Sequence, residues 1–173
     1  MKLNNMDLKQ YIKDVPNYPK EGIIFKDITP LLGNGEAFNF AVESFAEKFN
    51  KADVVVGIDA RGFLLAAPVA YKFGAGLAIV RKPGKLPRKT IREDYTLEYA
   101  SNSLEMHEDA IVPGQNVLII DDVLATGGTM EATCKMVKKL GGKIAGIGFL
   151  IELEFLGGRK RLGEYRIETL LKY

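Results

Sequence analysis

The densest group of chemically capable residues is Asp121-Asp122-Val123-Leu124-Ala125-Thr126-Gly127-Gly128-Thr129. It follows an apolar run, Asn116 to Asp121, that reads as a strand, and it precedes a helical pattern from Thr129 to Leu140. Glycines let backbone N–H groups come close to an anion, and a helix N-terminus favours negative charge. Thr126 and Thr129 add hydroxyl donors, so the loop from Ala125 through Gly127 and Gly128 suits a terminal phosphate monoester. An ionised Asp only accepts hydrogen bonds, so Asp121 and Asp122 can hold two vicinal hydroxyls. Phosphate on the loop and a diol on the acids together describe a ribose 5-phosphate. Neighbours on a strand point to opposite faces, so both acids reach one sugar only if the strand ends beside them. Neither G-x-x-x-x-G-K-[ST] nor G-x-G-x-x-G occurs, which argues against a nucleoside triphosphatase and a dinucleotide-binding dehydrogenase.

Three other apolar runs end on polar residues: Asp59-Ala60-Arg61-Gly62, Arg81-Lys82 and Glu152-Leu153. Arg61 and Arg81 would hold a second, more highly charged anion bidentately, such as pyrophosphate; the bland alternative is a pair of surface salt bridges. Six basic residues and no acid lie between Arg81 and Arg92. No aromatic is interleaved and the flank turns acidic at Glu93, Asp94 and Glu98, so a lid closing on a polyanion fits better than a nucleic-acid site; a plain solvated loop is the alternative.

These groups need elements to hold them. Asp53 to Ile58, Gly76 to Val80, Asn116 to Asp121 and Lys143 to Ile151 are short apolar runs that read as buried strands, and Arg166 to Tyr173 is a further candidate. Arg61 to Lys72 and Thr129 to Leu140 alternate with them as helices, the second capped by Gly141-Gly142. Asp7 to Lys13 reads as an opening helix, and Glu36 to Asn50 as an amphipathic one with Phe38, Ala41, Val42, Phe45, Ala46 and Phe49 on one face. The alternation predicts an α/β fold: a mainly parallel sheet covered by helices on both sides, with ligands beyond the carboxyl ends of its strands. Residues 81–113 do not fit the alternation; a stretch this long suggests a mobile lid, with Glu105 to Ile111 a candidate element inside it.

Composition narrows the class. A chain of 173 residues fits a single domain, residues 1–173, with an N-terminal hood over 1–35 and a lid over 81–104. One Cys and one His exclude a disulfide scaffold and a Cys- or His-based metal centre. A net charge of +2 does not suggest nucleic-acid binding, and no apolar segment resembles an export signal or a membrane span, so the expected location is cytoplasmic.

Asp121 to Thr129 resembles the 5-phospho-α-D-ribose 1-diphosphate (PRPP) signature of type I phosphoribosyltransferases. Asn17 to Pro30, Gly57 to Phe63, Val80 to Pro87 and Tyr95 to Tyr99 are similar to blocks found in the adenine phosphoribosyltransferases of that family, in the same order. The resemblance implies that Ala125, Thr126, Gly127, Gly128 and Thr129 bind the 5-phosphate and Asp121 and Asp122 the ribose hydroxyls. It implies that Asp59, Ala60 and Arg61 belong to a pyrophosphate loop, with Arg81 a further contact. Ile24, Phe25 and Lys26 would line an adenine pocket, Phe25 stacking on the ring and its neighbours using backbone groups. Leu153 would close the other side. Glu98 would be the catalytic carboxylate of the lid, assisted by Arg61, with Tyr99 beside it. Adenine pairs an N6 donor with an N1 acceptor, which one extended backbone segment can match. Phe25 taken alone reads equally well as core. Ala100 stands where the family often has Gly.

The activity so implied is AMP and pyrophosphate formation from adenine and PRPP, with Mg2+ carried on the PRPP and pyrophosphate oxygens rather than on protein ligands, and with a homodimer as the assembly. Glu98 would either handle the N9 proton or stabilise the developing cation. Two rival readings remain: another purine base on the same scaffold, and a PRPP-sensing regulator. The block from Ile23 to Pro30 weighs against the first, and the single-domain length against the second.

Overall fold

The computed structural model describes residues 6–97 and 100–173; Glu98 and Tyr99 lie outside the described residues. The chain divides into two units, Met1–Ser44 and Phe45–Tyr173.

The first unit opens on a short 3-10 turn, Leu8–Tyr11, capped by the Asp7 side chain, which accepts from Lys9 N at 3.0 Å. The expected helix over Asp7 to Lys13 is therefore only one turn. Helices this short are marginal, and Pro16 biases the residue before it toward extended backbone. The chain instead enters strand β1 (Lys13–Pro16), which pairs antiparallel with β2 (Ile24–Asp27), Val15 opposite Phe25. Asp27 then accepts from both the backbone N and the hydroxyl of Thr29, each at 2.9 Å, and starts the short helix α1 (Thr29–Gly33). Helix α2 (Gly35–Phe49) begins where Asn34 Oδ1 accepts from Ala37 N at 3.0 Å. Of its expected apolar face, Ala41, Val42, Phe45, Ala46 and Phe49 are buried. Its last turn, from Phe45, belongs to the second unit.

The second unit is built on five parallel strands: β3 (Val54–Ile58), β4 (Gly76–Val80), β7 (Asn116–Leu124), β8 (Lys143–Glu152) and β9 (Ile167–Lys172). Their order is β4-β3-β7-β8-β9. Every residue of β3 is buried, as a central parallel strand requires. Helix α3 (Arg61–Phe73) carries Pro68 in its interior and ends on Gly74, whose φ is 62°. Helix α4 (Gly128–Lys139) closes where Gly142 N donates to Val137 O at 3.0 Å. After β8 the chain makes a 3-10 turn, Glu154–Leu156, and one helical turn, α5 (Gly158–Arg161), before β9.

Residues 81–113 are not an irregular loop. They hold an antiparallel hairpin of β5 (Thr90–Leu97) and β6 (Ala100–His107); of the candidate element over Glu105 to Ile111, strand or helix by sequence, Glu105 to His107 is strand and the rest is a turn. Leu104 and Met106 alternate inward and are buried, which marks β6 as a half-buried strand. The hairpin is tied at two points. Arg81 and Glu105 exchange backbone hydrogen bonds of 2.9 and 2.8 Å, and Lys139 of α4 pairs with Glu93 of β5. Among the described residues no helix is long and apolar enough to cross a membrane.

Candidate active site

Because the five strands are parallel, their carboxyl ends share one edge, where ligands of open α/β sheets bind. At that edge β7 turns through Ala125, Thr126 and Gly127 into α4. Gly127 has a φ of 83°, a left-handed conformation that suits glycine. The turn lines a cavity together with Asp121, Val123, Met130 and Phe149. Thr126 is exposed, Thr129 half-buried, and Thr133 Oγ1 steadies the first turn of the helix by donating to Thr129 O at 2.9 Å. Of the residues singled out from the sequence, Asp121, Ala125, Thr126, Gly127, Gly128 and Thr129 line this cavity; Val123, Leu124, Met130 and Phe149 are apolar lining to which the sequence reading gave no role.

The two acids do not behave alike. β7 does not end at Asp121; it runs on to Leu124, with Val123 opposite Ile151 and Leu124 opposite Glu152. Strand alternation thus operates at the acids. Asp121 lines the cavity; Asp122 does not, and it is buried. Arg61 Nε lies 2.7 Å from Asp122 Oδ2, yet that buried oxygen accepts no aligned hydrogen bond among the described residues. Asp121 Oδ1 accepts from Asp122 N at 2.9 Å and sits 2.6 Å from where a Cβ on Gly62 would be, which keeps the start of α3 close against the carboxylate.

Burial first, and then the Asp122 carboxylate, push the Asp121 carboxyl well above the usual carboxylate range. A carboxyl raised on folding contributes stability below its ordinary value of about 3.9, and that contribution is lost as pH rises through the higher folded value. At neutral pH the raised Asp121 carboxyl therefore opposes folding. Asp121→Asn is expected to raise Tm at pH 7.5, by about 2–4 °C for each kcal/mol relieved, and to leave it unchanged near pH 3. Calorimetry at the two pH values checks this; a lower Tm at pH 7.5 would contradict it.

Arg81 Nε donates to Asp59 Oδ2 at 3.0 Å, and its Nη1 to Lys85 O at 3.3 Å. Both arginines of the sheet edge are thus held by carboxylates, one at the end of β4 and one at the start of α3. The Asp59–Ala60 peptide between them is cis. Three of the six bases between residues 81 and 92 are likewise matched: Arg81 by Asp59, Arg88 by Asp109 and Arg92 by Asp94. His107 stands in β6 with Nδ1 3.4 Å from Lys89 O, away from the cavity.

Leu153 directly follows β8 and donates its N–H to Leu124 O at 2.9 Å. Beside it, Glu152 is buried and receives Arg159 Nε and Nη2 at 2.8 and 2.6 Å. In the first unit, Ile24 is exposed and Phe25 half-buried, with Tyr18 set edge-on to the Phe25 ring at 5.2 Å between centroids. Lys26 Nζ is 2.7 Å from Asp14 Oδ1.

Sequence reasoning placed Tyr95 in a motif without giving it this position and did not name Gly158 or Arg161; all three come against the loop. A Cβ on Gly128 would lie 3.2 Å from Arg161 Nη1 and 3.3 Å from Tyr95 Cδ2, and one on Gly158 only 2.3 Å from Ala125 O. The signal available was Gly157-Gly158-Arg159-Lys160-Arg161, two glycines and three bases just past the last strand end of the site.

Residues 32–169 match the phosphoribosyl transferase domain family. The adenine phosphoribosyltransferase of Thermotoga sp. (strain RQ2) is 56% identical over 170 residues, 97% of this chain and 100% of the relative. The crystal structure of adenine phosphoribosyltransferase from Thermoanaerobacter pseudethanolicus superposes with a TM-score of 0.93 at 50% identity, over 96% of this chain and 98% of that one. The Saccharomyces cerevisiae adenine phosphoribosyltransferase, complexed with an imino-altritol bisphosphate and adenine, does so with a TM-score of 0.90 at 38% identity, over 95% of this chain and 96% of that one. A glycine-rich turn at the carboxyl edge of a parallel sheet, in a chain alike along nearly its whole length, places this protein in the phosphoribosyltransferase family, on its adenine phosphoribosyltransferase branch.

Proposed function

We propose that the protein is a purine-salvage transferase that converts adenine and PRPP into AMP and pyrophosphate. The observation that carries this is the Ala125–Thr129 turn opening onto α4 with Asp121 in the same cavity, in a chain 56% identical to an adenine phosphoribosyltransferase. The backbone N–H groups at the start of α4 and the hydroxyls of Thr126 and Thr129 bind the 5-phosphate. Asp121 accepts from a ribose hydroxyl. Asp122, turned away from the cavity by strand alternation, orients Arg61, which lies 2.7 Å from it. Arg61 and Arg81, with the backbone at Asp59 and Ala60, attend the diphosphate, and their carboxylate partners keep both guanidiniums in place before it arrives.

In the reaction the bond between C1 of the ribose and the pyrophosphate oxygen breaks, and the electron pair leaves with pyrophosphate. N9 of adenine bonds to C1 and gives up its proton. The positive character that develops on the sugar resembles that of glycosidic cleavage. Glu98 is assigned to that proton or to that charge, with Tyr99 beside it and Arg61 assisting the leaving group. Ile24 and Lys26 share one backbone edge of β2, as alternate residues of a strand do, and so offer groups for N6 and N1 together. Phe25 provides the ring contact and Leu153 an apolar wall.

Mg2+ arriving on the PRPP oxygens would supply charge neutralisation at the diphosphate, beside Arg61 and Arg81. A homodimer suits the exposed apolar side chains Leu64 and Tyr71, one helical face of α3, and Leu77 on the edge strand β4. The expected setting is the cytoplasm.

Initial rates with PRPP, Mg2+ and adenine, guanine, hypoxanthine, xanthine or uracil test the base. Adenine is expected to exceed every 6-oxo base by at least about a hundredfold, the scale set by unpaired polar groups in a site built for another edge. Turnover of a 6-oxo base with adenine inert would overturn the reading.

A further inference from the structure

The phosphate turn contains adjacent glycines, and glycine backbone is the most costly to order. Something outside the turn must hold Gly127 and Gly128 in place. The packing identifies it. Gly128 is flanked by the Tyr95 ring of β5 and by the guanidinium of Arg161, which ends α5; a Cβ on Gly128 would be 3.3 and 3.2 Å from them. A Cβ on Gly127 would be 3.5 Å from Arg161 Cβ. Arg161 Nε in turn pairs with Glu131 Oε2 at 2.7 Å, in the first turn of α4. Arg161 does not line the phosphate cavity. Its guanidinium lies behind the turn, in a cleft where Lys135 also approaches Glu131, at 3.5 Å, and Lys138 meets Glu164 at 2.8 Å.

We propose that Arg161 is a positioning residue for PRPP: through Glu131 it fixes α5 to the first turn of α4 and presses Gly128 against Tyr95. The N–H groups that receive the 5-phosphate are thereby aligned before the ligand arrives. The guanidinium also adds positive potential at the helix start, and ordering the turn in advance lowers the cost of binding. This inference rests on the reading of the turn as the 5-phosphate site.

Arg161→Met keeps much of the side-chain volume and removes the pair. Steady-state kinetics with PRPP and adenine varied separately, together with calorimetric titration of ribose 5-phosphate, test the role. The expected result is a KM for PRPP and a ribose 5-phosphate Kd raised about tenfold, with kcat and the KM for adenine within about twofold. Arg161→Lys, which can still reach Glu131, is expected to restore most of the loss, and Glu131→Gln to reproduce its direction. An unchanged KM for PRPP in Arg161→Met overturns the inference. So does an equal fall in every parameter, with a lowered Tm and no recovery in Arg161→Lys, which marks a purely structural role. If the wild-type protein binds neither ribose 5-phosphate nor PRPP, the reading of the turn itself fails; if the wild type binds and the variant binds equally, only the role of Arg161 fails.

Discussion

Gly158→Ala is expected to remove most of the capacity to use PRPP. An alanine Cβ at this position would lie 2.3 Å from Ala125 O and 2.9 Å from Leu124 Cδ1, and the first of these is backbone. To reach ordinary contact, α5 or the phosphate turn must move by about 1 Å, and a displacement of that size at a binding constellation costs on the order of a hundredfold. Local propensity points the other way, since alanine is favoured over glycine in a helix by about 1 kcal/mol. The two effects are separable: kcat/KM for PRPP should fall about a hundredfold while far-UV circular dichroism stays native. Kinetics within about threefold of wild type would show that α5 yields without disturbing the turn, and would remove it as the support of the phosphate site.

Glu152→Ala is expected to lower stability markedly. Glu152 is 4% exposed at the end of β8 and receives two hydrogen bonds from Arg159, whose Nη1 also donates to Ile167 O at 3.2 Å. The pair therefore fastens the turn after β8 to the start of β9. Removing the acid leaves a guanidinium without its main partner. The cost is about 2–3 kcal/mol rather than more, because the Arg159 side chain is 40% exposed and water recovers part of it. For a chain of this size that is a Tm lower by roughly 5–10 °C. The arginine's hydrogen bonds hold the Glu152 carboxyl below the usual range. A depressed carboxyl contributes stability above its unfolded value, about 4.3, and loses it as pH falls through the lower folded value. The gap between wild type and variant should thus be full at pH 7 and close in acid. Equal Tm values at pH 7 would contradict the role given to the pair.

The strands β3, β4 and β8 and helices α2, α3 and α4 were legible because each buries an apolar face with a clear period. The continuation of β7 to Leu124 was hidden: Asp121 and Asp122 interrupt its apolar pattern, and only pairing with Ile151 and Glu152 keeps it in the sheet. The β5–β6 hairpin was hidden because its strands are rich in charge and bury only one face, with Leu104 and Met106 inward. Strands β1 and β2 depend on each other, a pairing that no local pattern of four residues announces. Within the candidate site, the polar motif of the phosphate turn was legible from residue types alone. The separation of Asp121 from Asp122 is strand alternation and turned only on where β7 ends; the pairing of Arg61 and Arg81 with acids and the approach of Arg161 and Gly158 are contacts between segments distant in sequence, and residue spacing does not encode them.

Phosphorus NMR of a single reaction follows transfer of the phosphoribosyl group to adenine. With PRPP, Mg2+ and adenine, the PRPP signals should be replaced by those of AMP and pyrophosphate in equal amounts, and without adenine the PRPP signals should persist. Pyrophosphate released without nucleotide, or PRPP left intact beside adenine, would contradict it.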